Sequence, residues 1–132
     1  MSVKASAKGV QMSPRKVGVV ASLVRGRTVE DAISILEHTP RRAAEPVRKV
    51  IESAKANATY NHNYKEQGLV LSSITVTPGT RLKRFRAGAM GQAKPYQRKS
   101  SHINVVIDGE KRPEPKTTKS KTATTAGKKG EQ

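Results

Sequence analysis

Seven cationic side chains, Arg81, Lys83, Arg84, Arg86, Lys94, Arg98 and Lys99, fall within a stretch from Gln67 to Ile107 that contains no acid. Guanidinium and ammonium groups at this density suit one partner chemistry, charge-assisted hydrogen bonds to phosphate with release of counterions when a polyanion docks. A solvated surface loop normally mixes signs and seldom runs so long, so RNA or DNA contact is the reading adopted for this segment. In its middle lie Ala87, Gly88, Ala89, Met90, Gly91, Gln92 and Ala93, a segment mostly of small residues that permits close backbone approach or borders a space that must stay open. A second cationic set, Arg15, Lys16, Arg25, Arg27, Arg41 and Arg42, sits near the ends of predicted helices.

Catalytic chemistry leaves no comparable pattern. His38, His62 and His102 are far apart in sequence without metal-ligand spacing, and the chain has no cysteine to act as ligand or nucleophile. Glu30 and Asp31 form a carboxylate pair, but the first turn of a helix favours negative charge on electrostatic grounds alone. Gly88 and Gly91 lie in a basic segment and not between a strand and a helix, so they are no phosphate-cradling loop. Asn57-Ala58-Thr59 matches a glycosylation sequon, which means nothing without a secretion signal. No enzymatic activity, cofactor or metal is expected.

The whole chain is a polycation: 26 Lys and Arg against 10 acids give a net charge of +16 on 132 residues. That length supports one compact domain, and a field of that sign attracts polyanions whatever the fold. No apolar run approaches the roughly 18 to 20 residues that span a bilayer, so no membrane role is expected. The opening residues MSVKASAKG lack an apolar stretch, and cytoplasmic residence is expected. With only Tyr60, Tyr64, Phe85 and Tyr96 as aromatics, a platform stacking successive bases is not expected.

The elements that must position these cations form an α+β pattern. Val3, Ala5 and Ala7 alternate with polar neighbours as an edge strand does. Ser13-Pro14 starts a helix running to Arg25 and stopping at Gly26, with Ser13 as cap and Val17, Val20, Ala21 and Val24 as its buried face. Thr28 caps a second helix, with Asp31 completing a weak capping box and Val29, Ala32, Ile33 and Leu36 as its stripe. A third follows Thr39-Pro40 and buries Val47, Val50, Ile51, Ala54 and Ala58. Pro46 lies inside it, so either its true start is later or its first turns are kinked. The period then changes: Leu69, Leu71, Ile74 and Val76 fit a strand bulged at Ser72-Ser73, and Ile103, Val105 and Ile107 alternate in another. The 23 residues from Gly79 to Ser101 are too many for an idle loop. Continued as two strands of about ten residues each, they would reach roughly 30 Å from the body. The expected architecture is three helices packed on a small antiparallel sheet with a long extended β-hairpin, residues 79–101. The domain covers residues 1–108, and residues 109–132, rich in Pro, Lys, Thr and Gly, are expected to be a disordered basic tail.

The runs SPRKVGVVASLVRGRTVEDAISIL, ESAKANATYN and LKRFRAGAMGQAKPYQRKSSHINVVI together resemble the bacterial form of the universal large-subunit ribosomal protein family L-twenty-two, in unbroken order over residues 3 to 108. The resemblance implies a structural constituent of the large ribosomal subunit, cytoplasmic and present in one copy per ribosome. It implies binding of large-subunit ribosomal RNA by the cations named above, contacts with neighbouring ribosomal proteins and support of early subunit assembly. It also implies that the hairpin threads through the RNA, so that its tip, Ala87 to Gln92, lines the exit tunnel beside the nascent polypeptide and near the site of macrolide antibiotics. The sequence departs from the usual family pattern at Gly18, Ala87-Gly88 and Gln92, where Arg, Pro-Arg and Arg are usual, leaving a tip with less charge and more backbone freedom. A DNA-bending architectural protein is the main rival; it predicts an apolar wedge at the arm tip and a dimer interface, and Phe85 is the only bulky candidate.

Overall fold

The computed structural model describes residues 2 to 112. Strand β1 (Val3–Val10) leads into three helices, α1 (Pro14–Val24), α2 (Val29–His38) and α3 (Ala44–Ala56), and α3 ends in a wide π-helical turn, Asn57–Asn61. Two long strands follow, β2 (Val70–Ala87) and β3 (Ala93–Asp108), joined through a short 3-10 turn at Ala89–Gly91. The sheet is antiparallel with order β1-β3-β2. The expected α+β class, helix count and extended hairpin are what the structure has.

Helices cover one face of the sheet, and side-chain periodicity decides which residues meet there. Ile103, Val105 and Ile107 of the central strand are fully buried, as are Val17, Val20, Ala21 and Val24 of α1 and Val47, Ile51 and Ala54 of α3. On α2, Val29, Ala32 and Leu36 are buried, whereas Ile33 is only partly covered. The register slips between Leu71 and Ser73. That bulge lets Leu71 and Ile74, three apart, both enter the core. The opposite face of the sheet, with Lys4, Ser6, Thr75 and Asn104, is exposed.

Helix starts follow the residues closely, with one correction. Ser13 contributes no side-chain cap; its carbonyl accepts from Lys16 and Val17 instead, while Pro14 occupies the first turn. Thr28 does cap α2: its hydroxyl accepts from the Asp31 N–H at 3.3 Å and donates to the Asp31 carboxylate at 2.7 Å. α3 begins at Ala44, so Pro46 falls in the first turn, where no N–H has an intrahelical acceptor, and the later of the two expected starts is the true one. Ala58 is buried from the π-helical turn and not from α3 itself.

The outer edge of β2 is covered at its start. The turn between α1 and α2 pairs with the start of β2 through Gly26 N–H to the Leu71 carbonyl, Leu71 N–H to Arg27 and Val29 N–H to Leu69. At the same end of the sheet, just past the Val70↔Asp108 pair, Lys65 N–H donates to the Glu110 carbonyl and Arg112 N–H to the Asn63 carbonyl. The paired chain therefore runs four residues past the expected domain boundary at 108. The rest of the expected tail, 113–132, lies outside the described residues.

Candidate nucleic-acid interface

β1 leaves the sheet at the Val10↔Ser101 pair, and beyond it β2 and β3 continue alone as a two-stranded ribbon. The exit is marked by a bulge: Pro78 pairs with Ser101 and Arg81 with Lys99, so Gly79 and Thr80 oppose Ser100 alone. Here Gly79 is required by contact, because a Cβ would lie 2.6 Å from Ser100 Oγ and 3.1 Å from the His102 ring. Ser100 Oγ donates to the Thr80 carbonyl at 2.7 Å, and Gly9 N–H, in the left-handed region at φ +74, donates to His102 Nδ1 at 2.9 Å. These bonds tie all three strands at the arm's root.

Seven pairs carry the arm outward, from Arg81↔Lys99 to Ala87↔Ala93, a reach of roughly 23 Å at the usual rise and shorter than the sequence expectation. All seven arm cations are exposed. Arg81 and Lys99 stand directly opposite each other, as do Arg86 and Lys94. Like charges so placed destabilise a ribbon that is marginal in water by itself. Arg86 offsets part of this by lying over the Tyr96 ring, 4.8 Å from its centroid. At the tip, Gly88 N–H donates to the Gln92 carbonyl at 2.6 Å, and a Cβ on Gly88 would sit 2.9 Å from that oxygen. Met90, at φ 56, and Gly91, at φ 70, turn the chain.

The fold gathers part of the helix-borne cationic set onto the arm's root and leaves part elsewhere. Lys16 at the start of α1, Arg41 and Arg42 before α3, and Arg98 and Lys99 of the ribbon line one open groove of about 620 Å³, together with Gln11, Met12, Ser13, Ala43, Tyr96 and Gln97. No acid lines it. Arg15 is exposed beside Lys16. Arg25 and Arg27 stand at the far end of α1, where Arg25 donates to the Ile74 carbonyl at 3.2 Å and Arg27 to the Leu23 carbonyl at 3.1 Å. Sequence reasoning missed Gln11, whose amide oxygen accepts from Arg98 at 3.3 Å, and the Gly79, Thr80 and Ser100 root. No spacing signals them, since register and bulge bring them together.

Ion pairing divides the cations cleanly. Among the described residues, Arg48 pairs with Glu37 and Glu52, Lys49 with Glu45, Lys55 with Glu66 and Lys65 with Glu110, all on α3 or the segments beside it. Hydrogen bonds from Lys49 and Lys55 hold the Glu45 and Glu66 carboxyls below the usual carboxylate range. No such pair includes an arm or groove cation. Among the described residues there is also no cluster of His, Asp and Glu able to hold a metal, and no helix long and apolar enough to cross a membrane.

The fold and this surface define a class: small basic α+β domains that project a two-stranded cationic ribbon beyond their core. The family model for ribosomal protein L22p/L17e matches residues 5–108. The chain is 46% identical over 111 residues to the large ribosomal subunit protein uL22 of Clostridioides difficile (strain 630), covering 84% of this chain and 100% of that one. It is also 46% identical over 111 residues to the large ribosomal subunit protein uL22 of Desulforamulus reducens, covering 84% and 98%. The chain belongs to the ribosomal protein L22p/L17e family.

Proposed function

We propose that the chain is a structural, non-catalytic constituent of the large ribosomal subunit that binds large-subunit ribosomal RNA through its arm and root groove, supports subunit assembly and presents its arm tip to the exit tunnel. The observation that carries this reading is the unneutralised arm. Seven exposed cations with no ion pair among the described residues, two directly opposed like-charge pairs among them, make a ribbon that repels itself in water and is stabilised by polyanion around it. Its relatives are named large ribosomal subunit proteins. Partners are then ribosomal RNA, neighbouring ribosomal proteins and, at the tip, the nascent polypeptide, with one copy in each cytoplasmic ribosome.

The body's role is to set where the arm enters. Groove cations from α1, from the segment before α3 and from β3 can hold one length of RNA backbone against both body and ribbon, fixing the angle between them. Native protein is expected to co-sediment with large subunits in sucrose gradients; sedimentation only with free protein would refute the assignment. For the tip, deletion of Lys83, Arg84 and Phe85 shortens one strand by an odd number and so exchanges its two faces. Subunits are expected to incorporate this variant yet show altered macrolide inhibition or stalling on an arrest peptide; normal incorporation with both responses unchanged would remove the tip from the tunnel.

A further inference from the structure

The arm is uniform in charge sign but not in chemistry once its register is followed. Residues directly opposite in an antiparallel ribbon share a face, and successive pairs alternate. One face carries Arg81 with Lys99, then Lys83 with Gln97, then Phe85 with Pro95 and Ala87 with Ala93; the other carries Arg84 with Tyr96 and Arg86 with Lys94. The distal half is therefore two-sided, cationic on one side and uncharged on the other.

Phe85 is the chain's one phenylalanine and is 71% exposed. Because Gly88 N–H bonds to the Gln92 carbonyl, alternation makes Arg86↔Lys94 and Arg84↔Tyr96 hydrogen-bonded pairs and Phe85↔Pro95 the non-hydrogen-bonded pair between them. Such pairs have the shorter cross-strand separation, which draws the two side chains together. Pro95, with no N–H to give, is accommodated there because its nitrogen points out of the ribbon. The two Ala side chains one step toward the tip leave the ring's surroundings low.

We infer that Phe85, backed by Pro95, is a base-stacking site that takes the face of one unpaired nucleobase, resting on the RNA-binding function proposed above. A nucleotide joins an apolar planar face to a phosphate, and this surface joins an apolar ring to cations. Lys83 is one step rootward on the same face, so a backbone held there carries a base to the ring, while Arg84 and Arg86 on the other face can hold phosphates on that side of the ribbon. A peptide would need an acid and an apolar side chain at matching positions to fill this surface, whereas a nucleotide brings its base and its phosphate as one unit. The contact is a single one, unlike a platform for successive bases, and it adds a component of affinity that does not depend on salt.

The test uses the full chain and protein-free large-subunit ribosomal RNA, with filter binding across a range of salt and base-reactivity probing of the bound RNA. Phe85→Ala is expected to weaken binding by about tenfold, within the range for loss of a stacked base, by the same factor at every salt. It is also expected to expose one base that the parent protects. Phe85→Trp keeps the protection, and Leu82→Ala, an exposed apolar residue on the opposite face, leaves both affinity and protection unchanged. Unchanged thermal unfolding establishes that each variant is folded. Phe85→Ala binding like the parent, or weakening without a newly reactive base, overturns the stacking site; the first result with altered nascent-peptide stalling would assign the surface to a peptide. A parent that fails to bind the RNA, or binds without salt dependence, overturns the proposed function and this inference with it. A parent with steep salt dependence and an unaffected Phe85→Ala overturns this inference alone.

Discussion

Two triple variants that remove the same charge are expected to behave differently toward RNA. Arg84→Gln, Arg86→Gln and Lys94→Gln strip three exposed cations from one face of the arm, where none of them has an ion pair among the described residues. Arg48→Gln, Lys49→Gln and Lys55→Gln strip three cations of α3 that are already paired with Glu37, Glu52, Glu45 and Glu66. Each triple lowers the net charge of +16 by three. Every neutralised phosphate contributes roughly 0.7 to 0.9 to the slope of log affinity against log salt, so the arm triple flattens the slope by roughly 2 to 3. Taking the arm alone, a fourfold rise in salt weakens the parent roughly 2,000-fold and the arm triple roughly 80-fold. The α3 triple keeps the parent slope, because its cations hold carboxylates and not phosphates. Filter binding of large-subunit RNA over that salt range reads the slopes directly, after thermal unfolding has confirmed that all three proteins fold. Equal flattening by both triples would show that overall charge and not the arm's unpaired cations drives binding.

Further outcomes follow from the fold. Thr28→Ala removes the hydroxyl that accepts from Asp31 and is expected to lower stability by about 1 kcal/mol, whereas Ser13→Ala, which loses no cap bond, stays near the parent in urea unfolding. Gly79→Ala sets a methyl against Ser100 Oγ and breaks its bond to Thr80, so amide exchange is expected to quicken along the arm's root while the helices keep their protection. Truncation after Gly109 removes two backbone bonds to Asn63 and Lys65 and is expected to lower stability by about 1 to 2 kcal/mol; truncation after Arg112 is expected to leave it unchanged, as read by thermal unfolding. Glu45 and Glu66 have lowered pKa values in the fold, so what their pairs contribute is complete above the ordinary carboxylate range and is lost as pH falls through the folded values. The stability gap between the parent and a Glu45→Gln, Glu66→Gln variant is therefore expected to close on acidification.

Much of this molecule was legible in its residues because local rules act alone there. Val17, Val20, Ala21 and Val24 recur at helical spacing and Ile103, Val105 and Ile107 at strand spacing, and a residue's period states which face it buries before any partner is known. The acid-free run around Arg81 to Lys99 was equally legible, since charge does not depend on folding. Other features were not. Whether Ser13 or its backbone would serve α1, and whether Pro46 kinked α3 or began it, turned on where chain direction changed by a residue or two. The division of the helix cations, with Lys16, Arg41 and Arg42 beside Arg98 and Lys99 and with Arg25 and Arg27 remote, needed the packing of α1 and α3 on a sheet ordered β1-β3-β2. Which arm cations share a face with Phe85 needed the register and the bulge at Gly79-Thr80. A slip of one residue exchanges the two faces of a strand. Residue types thus determined that this chain would carry a cationic arm, and only tertiary pairing decided where on that arm charge gives way to an apolar surface.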